Sequence, residues 1–246
     1  MLSYIIQVGI GGIRLRDSVP QSWKHVLPHA QIYQNLDQIA HIASAYDVVA
    51  LQEVDAGSLR SSFINQTEYL AHKALFPFWK HQLNRNLGHI AKHSNGLLSR
   101  FKPSEVTHLK LPGIIPGRQA MVVRYGSVEN PLILVIMHLA LGQRARQRQI
   151  SSVCDIIGHY EHVILMGDLN CQPDSREMSY LLKQTHLCEP THDLKTFPSW
   201  RPKKRIDHIL VTPSLKVNDV HVLDYLYSDH LPIAMNIQIP ESVDIF

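Results

Sequence analysis

The chain has 246 residues, of which 45% are hydrophobic and 18% are charged, and its formal net charge at pH 7 is +3. A chain of this length and composition can bury a sizeable core, which excludes a disordered or low-complexity protein. The apolar runs are all shorter than the roughly 20 residues of a membrane-spanning helix, and the charge is too low for a dedicated nucleic-acid-binding module.

The chain shows no linker, internal repeat or block of like charge, so we predict a single domain over residues 1–246. Its N-terminal segment lacks the basic flank and the cleavage site of a secretory signal. The three cysteines, Cys154, Cys171 and Cys188, show no C-x-x-C spacing. We therefore expect a cytoplasmic, monomeric protein with reduced thiols and no transmembrane segment.

Short apolar runs and helical spacings alternate along the chain. In the first half they predict a strand at 4–8, a helix at 32–43, and strands at 47–51 and 96–99, followed by a Gly- and Pro-rich loop at 112–117. In the second half they predict strands at 120–125 and 132–137, a helix at 150–157, a strand at 163–166, a helix starting near 175, and strands at 206–211, 217–223 and 233–239. The continuous apolar runs 132–137 and 163–166 are typical of central strands covered on both faces. The elements predict two sheets with flanking helices.

Acidic, amide and imidazole side chains stand where several predicted strands end. They are Gln52-Glu53, His138, Gly167-Asp168-Leu169-Asn170, Asp207-His208 and Asp229-His230. Clustered carboxylates raise each other's pKa unless a cation lies among them, and oxygen ligands suit Mg²⁺ or Mn²⁺. A histidine beside a carboxylate is a candidate acid or base.

Each of these motifs also has an ordinary structural interpretation. A Gln-Glu pair is usually solvated surface, and an Asp-x-Asn segment is most often a turn, because both side chains bond their own backbone. The joint occurrence, each motif at the end of a Val- and Ile-rich strand, favours a common site over chance.

The same motifs carry a resemblance to a known family. They are Leu51-Gln52-Glu53-Val54-Asp55, Gly96-Leu97-Leu98-Ser99, His138-Leu139, Gly167-Asp168-Leu169-Asn170, Ile206-Asp207-His208-Ile209 and Ser228-Asp229-His230-Leu231-Pro232. In this order they resemble the endonuclease/exonuclease/phosphatase superfamily of metal-dependent phosphoesterases, over residues 2–239. The resemblance implies an α+β fold, a four-layered α/β/β/α sandwich of two packed mixed sheets flanked by helices. It implies a hydrolase that uses Mg²⁺ or Mn²⁺ on a phosphate ester, with nucleic acid among the candidate substrates.

The resemblance also implies roles for individual residues. Glu53 and Asp229 would be metal ligands, and Arg118 would lie near the substrate. Asp207 would orient His230, Asn170 would bind the phosphate or position the water, and His138 would assist the leaving oxygen. Asp168 and His230 are rival candidates for the general base. The implied catalytic set is His138, Asp168, Asn170, Asp207 and His230.

One position departs from the family pattern. The first strand usually ends in an asparagine, where this chain has Ile5, which neither binds a metal nor donates to a phosphate. Gln7, two positions along and expected on the same face, is the candidate replacement in substrate binding. A second hypothesis therefore stays open, in which the chain is a catalytically impaired member that acts as a nucleic-acid- or phosphate-binding module.

Two basic clusters lie next to these motifs in sequence. Arg144, Arg146 and Arg148 follow His138, and residues 203–205 precede Asp207. They are candidates for phosphate contacts, with an exposed solvated face as the equally weighted alternative.

Overall fold

The structure is a computed structural model, and it describes residues 1–9, 30–113, 117–190 and 194–245. The described residues form eleven strands and four α-helices. The strands are β1 (Leu2–Ile5), β2 (Val48–Asp55), β3 (Phe78–Asn86), β4 (Lys92–Ser99), β5 (Glu105–Lys110), β6 (Gln119–Tyr125), β7 (Leu132–His138), β8 (His162–Asp168), β9 (Asp207–Val211), β10 (Lys216–Val222) and β11 (Ile233–Gln238). The helices are α1 (Ala30–Ala43), α2 (Gln66–Lys73), α3 (Gln143–Ile157) and α4 (Arg176–Gln184).

The strands form two sheets that contain both parallel and antiparallel pairs. The six-stranded sheet has the order β10-β11-β1-β2-β4-β3, and the five-stranded sheet has the order β5-β6-β7-β8-β9. The β1–β2 and β7–β8 pairs are parallel, and the remaining pairs are antiparallel. This topology brings the predicted site motifs together. One end of the sandwich contains the ends of β2, β7 and β8 and the start of β9.

Three apolar clusters establish the layers. One lies between the sheets and contains Leu134 and Met166, one packs α1 and α2 on the six-stranded sheet, and one packs α3 and α4 on the five-stranded sheet. The order of layers is therefore helices, sheet, sheet, helices. This confirms the predicted four-layered sandwich.

Helices α2 and α4 begin at side chains that cap them. The Ser175 hydroxyl accepts a hydrogen bond from the backbone N–H of Met178 at 3.1 Å, which caps α4 at the predicted position. Asn65 caps α2 by accepting from the N–H groups of Thr67 and Glu68. Helix α2 was not predicted, because its eight residues have only a weak apolar stripe.

The first strand is shifted from its predicted position at 4–8. It ends at Ile5, and a short 3₁₀ turn follows at Gln7–Gly9, in which Gln7 and Val8 have φ of +42° and +58°. The predicted loop 112–117 lacks regular structure at residues 112, 113 and 117, and residues 114–116 lie outside the described part. Within the described ranges, none of the helices combines the length and apolarity that crossing a membrane requires.

Gly167 has a structural role near the end of β8 in the five-stranded sheet. The neighbouring strand β7 approaches its backbone closely. Gly167 has φ of +138°, and a Cβ atom there would lie 1.9 Å from the Met137 carbonyl oxygen. Glycine at this position therefore allows β7 and β8 to pair up to their last residues, His138 and Asp168.

Candidate active site

Three of the predicted catalytic residues are neighbours across the five-stranded sheet. His138 ends β7, Asp168 ends β8 and Asp207 begins β9, and the strand register pairs His138 with Asp168 and Asp168 with Asp207. His230 comes from the loop between β10 and β11, in the other sheet. Oxygen or nitrogen atoms of Asp168, Asp207 and His230 all lie within 4.8 Å of one another. The structure thus brings together residues that are far apart in sequence.

Asp207 and His230 form a buried pair. The His230 Nδ1 atom is 2.8 Å from Asp207 Oδ2, which also accepts a hydrogen bond from the Thr196 hydroxyl. The Phe197 ring packs on the imidazole with centroids 4.7 Å apart. Burial opposes protonation, but the carboxylates of Asp207, Asp168 and Asp229 raise the pKa of His230 to about 9. The ring is therefore held with its Nε2 edge free of Asp207, and it is cationic at neutral pH.

Asp168 accepts a hydrogen bond within a turn and also belongs to the cluster with Asp207 and His230. Its Oδ1 atom accepts from the Asn170 backbone N–H at 2.7 Å, and Asn170 has φ of +51°. The turn interpretation of Asp-x-Asn is thus correct in part. Because Asn170 leaves the strand conformation, its side-chain amide donates to the Leu139 carbonyl oxygen at 3.0 Å. Burial and the charge of Asp207 raise the pKa of Asp168 well above its ordinary value.

Glu53 occupies a bulge in β2. The β2–β4 register shifts between Leu51 and Val54, and Glu53 has φ of +56°. Its Oε1 atom lies 3.9 Å from His138 Nδ1, while His138 Nε2 lies 3.4 Å from Asp168 Oδ2. Burial and the neighbouring Asp229 raise the pKa of Glu53. The left-handed bulge residue thus lies beside the carboxylates of the opposite sheet.

His138 and His230 differ in charge. Burial lowers the pKa of His138 well below its ordinary value, and the cations Arg118 and His230 act in the same direction. His138 is therefore a neutral imidazole between two carboxylates at neutral pH. The site thus contains one neutral and one cationic histidine, which sequence motifs alone do not distinguish.

Arg118 lies in the electrostatic field of the cluster. Burial lowers its pKa, and the carboxylates of Glu53 and Asp168 oppose that shift. His93, at the start of β4, is a further neighbour, and burial together with Arg60 lowers its pKa to about 4. The predicted position of Arg118 near the site is consistent with these interactions, and its contact with a substrate stays a prediction.

The donor set fits a hard divalent cation. Glu53 and Asp168 are carboxylates whose pKa values are raised by burial and by neighbouring acids, and Asp229 acts on Glu53. A cation bound among such oxygens removes this repulsion. Among the described residues, the group whose ligand atoms lie within 4.8 Å of one another is Asp168, Asp207 and His230, and it contains neither predicted ligand. Since Asp207 and His230 are already bonded to each other, Glu53 and Asp229 with Asp168 are the better candidates.

Ile5 and Gln52 mark the departure from the family pattern. Ile5 is 2% exposed and is paired in register with Gln52 of β2. Gln52 is fully buried, and neither of its amide atoms has a hydrogen-bond partner within the described residues. The argument that placed Gln7 on the face of Ile5 is wrong, because strand alternation stops at Ile5. A role of Gln7 in substrate binding stays a prediction.

The basic clusters are only partly available for phosphate contacts. Arg146 pairs with the buried Glu177 at 2.7 Å, and Arg205 pairs with Glu189 at 3.0 Å. These two arginines join α3 to α4 and support the start of β9. Arg144 and Arg148 are exposed on α3.

Thr196 and Gln52 are the main site features that motif analysis missed. Thr196 is fully buried and bonds to the carboxylate that holds His230. Gln52 belongs to the recognised Gln52-Glu53 pair, but its burial requires the tertiary structure.

Several solved structures share this fold. An endonuclease/exonuclease/phosphatase from Beutenbergia cavernae is 21% identical, with a TM-score of 0.74 over 97% of this chain and 70% of that chain. A mannosyl-6-phosphatase from Bacteroides thetaiotaomicron is 17% identical, with a TM-score of 0.68 over 84% of this chain and 91% of that chain. The human Nocturnin catalytic domain with a bound sulfate anion is 16% identical, with a TM-score of 0.68 over 87% and 88% of the two chains.

No curated protein sequence matches the chain. A family model, however, matches residues 30–230, a range that contains Glu53, His138, Asp168, Asp207 and His230. With its four-layered fold, the chain belongs to the Endonuclease/Exonuclease/phosphatase family.

Proposed function

We propose that this chain is a divalent-metal-dependent phosphoesterase that hydrolyses a phosphodiester by attack of an activated water molecule. Proteins of its family act on phosphoester bonds. The observation that carries the proposal is the buried Asp207–His230 pair, at 2.8 Å, next to Asp168. A cationic imidazole beside a basic carboxylate is suited to binding a phosphoryl group and accepting a proton from water.

The charges favour one assignment of the general base. His230 is protonated at neutral pH, because its pKa is about 9. A protonated imidazole cannot accept a proton, so His230 stabilises the negative charge on the phosphoryl oxygens. Asp168, whose pKa is raised, takes the proton of the attacking water. Asp207 holds the His230 ring in place, and Asn170 is assigned to binding the phosphate or positioning the water.

The remaining site residues are proposed to bind the metal ion, the phosphate and the leaving oxygen. Glu53 and Asp229 are the proposed ligands of Mg²⁺ or Mn²⁺, which when bound polarises the phosphoryl oxygen and offsets developing charge. Arg118 contacts a phosphate oxygen. His138 is a neutral imidazole that lies between Glu53 and Asp168, and its single N–H is proposed to assist the leaving oxygen. Nucleic acid as substrate, a cytoplasmic location and a monomeric state stay predictions.

Ile5 favours a second candidate function, a binding module with impaired catalysis. Its apolar side chain stands where the family places an amide, and it leaves the buried amide of Gln52 without a partner. Against this candidate, the carboxylates Asp168 and Asp207 are buried and carry the desolvation cost that a module without catalysis does not need.

Hydrolysis in ¹⁸O-labelled water tests the proposal. The purified chain with Mg²⁺ or Mn²⁺ is incubated with an activated phosphodiester, an activated phosphomonoester, plasmid DNA and a phospholipid, and the phosphate product is analysed by ³¹P NMR. We expect one ¹⁸O atom on phosphorus and loss of turnover in Asp168→Asn. Absence of turnover on every substrate, while the protein binds the same esters, would favour the binding module.

A further inference from the structure

Exposed apolar side chains are unevenly distributed over the molecule. Among the described residues nine large hydrophobic side chains are exposed, and only Leu75 and Val128 lie at the end of the sandwich opposite the catalytic cluster. The other seven lie on loops at the catalytic end. We call these seven the apolar rim: Leu59, Phe63, Leu87, Ile90, Leu141, Tyr225 and Leu226. Single exposed hydrophobics are ordinary, but their concentration at one end marks an interaction surface.

The loops of the six-stranded sheet supply most of the rim. Leu59 and Phe63 follow β2, the strand that carries Glu53. Leu87 and Ile90 form the tip of the β3–β4 hairpin, beside the end of the same strand. These side chains therefore border the mouth on the side of the proposed metal ligands.

Two further loops continue the rim around the mouth. Leu141 follows His138 after the end of β7, and its side chain is 78% exposed. Tyr225 and Leu226 lie in the β10–β11 loop that also contains His230. Each of these loops carries a catalytic side chain and an exposed apolar side chain.

Backbone hydrogen bonds hold the rim loops in shape. The Leu59 N–H donates to the His89 carbonyl oxygen at 2.8 Å, which ties the loop after β2 to the hairpin tip. The Phe63 N–H donates to the Ser58 carbonyl oxygen at 2.7 Å. In these hydrogen-bonded loops the side chains of Phe63 and Ile90 are 61% and 54% exposed.

Two basic segments flank the rim, while the β10–β11 loop contributes the exposed acidic residue Asp224 beside Tyr225. The hairpin stretch 81–95 contains Arg85 and Lys92, three histidines and no acidic residue. On the opposite side of the mouth, Arg201, Lys203 and Lys204 are exposed in the segment before β9. Lysine and arginine near an apolar surface attract anionic lipid headgroups.

We infer that the apolar rim docks this protein on an anionic lipid bilayer, with the catalytic mouth facing the headgroup phosphates. Aliphatic side chains and a basic surround suit insertion into the headgroup region. Single-stranded nucleic acid is the weaker match, because base stacking needs rings and only Phe63 and Tyr225 supply them. The docking inference depends only on the residues of the apolar rim. Cleavage of a headgroup phosphate depends in addition on the proposed function.

Vesicle sedimentation with two matched double variants tests the docking. The full chain is mixed with vesicles of phosphatidylcholine, with and without one part in three of phosphatidylserine. Leu87→Ser/Ile90→Ser should lower the vesicle partition coefficient by about tenfold or more, because the free energy of membrane binding increases with the apolar area that is buried. Leu75→Ser/Val128→Ser, at the opposite end, should bind like the parent protein. Circular dichroism melts establish that both variants are folded.

The outcomes separate docking from catalysis. Docking is overturned if the parent protein does not bind anionic vesicles, if the two double variants bind equally, or if the rim variant loses only binding to a single-stranded oligonucleotide. Turnover of a water-soluble activated phosphodiester should be the same in the rim variant and the parent. If neither protein turns that ester over although vesicle binding depends on the rim, the proposed function fails and the docking inference stands.

Discussion

Replacing Gly167 with alanine should destabilise the protein strongly, because the new Cβ atom meets backbone rather than a movable side chain. It would lie 1.9 Å from the Met137 carbonyl oxygen, at φ of +138°. A non-glycine residue in such a conformation costs about 1–3 kcal/mol, and separating β7 from β8 weakens backbone hydrogen bonds worth about 1 kcal/mol each. The expected loss of about 3–5 kcal/mol is a large part of the roughly 5–15 kcal/mol of a typical domain.

Urea unfolding followed by circular dichroism measures this loss, and Gly88 provides the matched control. Gly88 also has a positive φ, +66°, but a Cβ atom there has nothing within 4 Å. Gly88→Ala should therefore cost only the backbone strain, about 1–2 kcal/mol. Equal losses in the two variants would refute the close approach of β7 to Gly167 as the reason for glycine in this motif.

Three further predictions concern the cluster itself. Thr196→Val removes the hydroxyl that donates to Asp207 and should lower kcat about tenfold or more, whereas Thr196→Ser should keep most of it; equal kcat values would exclude a positioning role. In the metal-free protein, NMR titration should give His230 a pKa of about 9, so its contribution to stability is complete below pH 6.5 and is lost as the pH rises through 9. Asp207→Asn should bring that pKa down toward 6.5, and an unchanged value would contradict the pairing. Ile5→Asn places an amide beside the unpartnered Gln52 and should strengthen Mg²⁺ binding in calorimetry; unchanged affinity would show that Ile5 does not limit metal binding.

The sequence predicts those parts of the fold whose burial is complete. The continuous apolar runs of β7 and β8 are found where they were expected, extended by one to two residues at their ends. The strands β3 and β5 were missed, because both are edge strands with mixed or exposed side chains and carry little hydrophobic periodicity. The edge strands β9 and β10 were predicted, because their segments are richer in Val, Ile and Leu.

In the site, too, the sequence predicts which residues take part but not the properties that depend on tertiary contacts. Glu53, His138, Asp168 and Asp207 were identified because each stands beside the end of a predicted strand, although β2 continues past its predicted end at 51 to Asp55 and holds Glu53 in a bulge. The charges of the two histidines depend on burial and on neighbours from other strands, so motif spacing does not predict them. For the same reason Arg146 was a candidate for phosphate binding, although it is bonded to Glu177.

The exposed Asp219–His221 pair provides an internal control for the central claim. Its Nδ1 to Oδ2 distance is 2.8 Å, equal to that of Asp207–His230, but both side chains are at least half exposed. The pair has the same chemistry outside the cluster. His230→Ala and His221→Ala therefore remove the same side chain from the same kind of Asp–His pair, once inside the cluster and once outside it.

The most direct measurement is the rate of hydrolysis of an activated phosphodiester, with EDTA and with excess Mg²⁺ or Mn²⁺, for the parent, His230→Ala and His221→Ala. The account predicts metal-dependent turnover in the parent and in His221→Ala, and a loss of about a hundredfold or more in His230→Ala. Turnover that persists in EDTA, or equal rates in the two histidine variants, would contradict it.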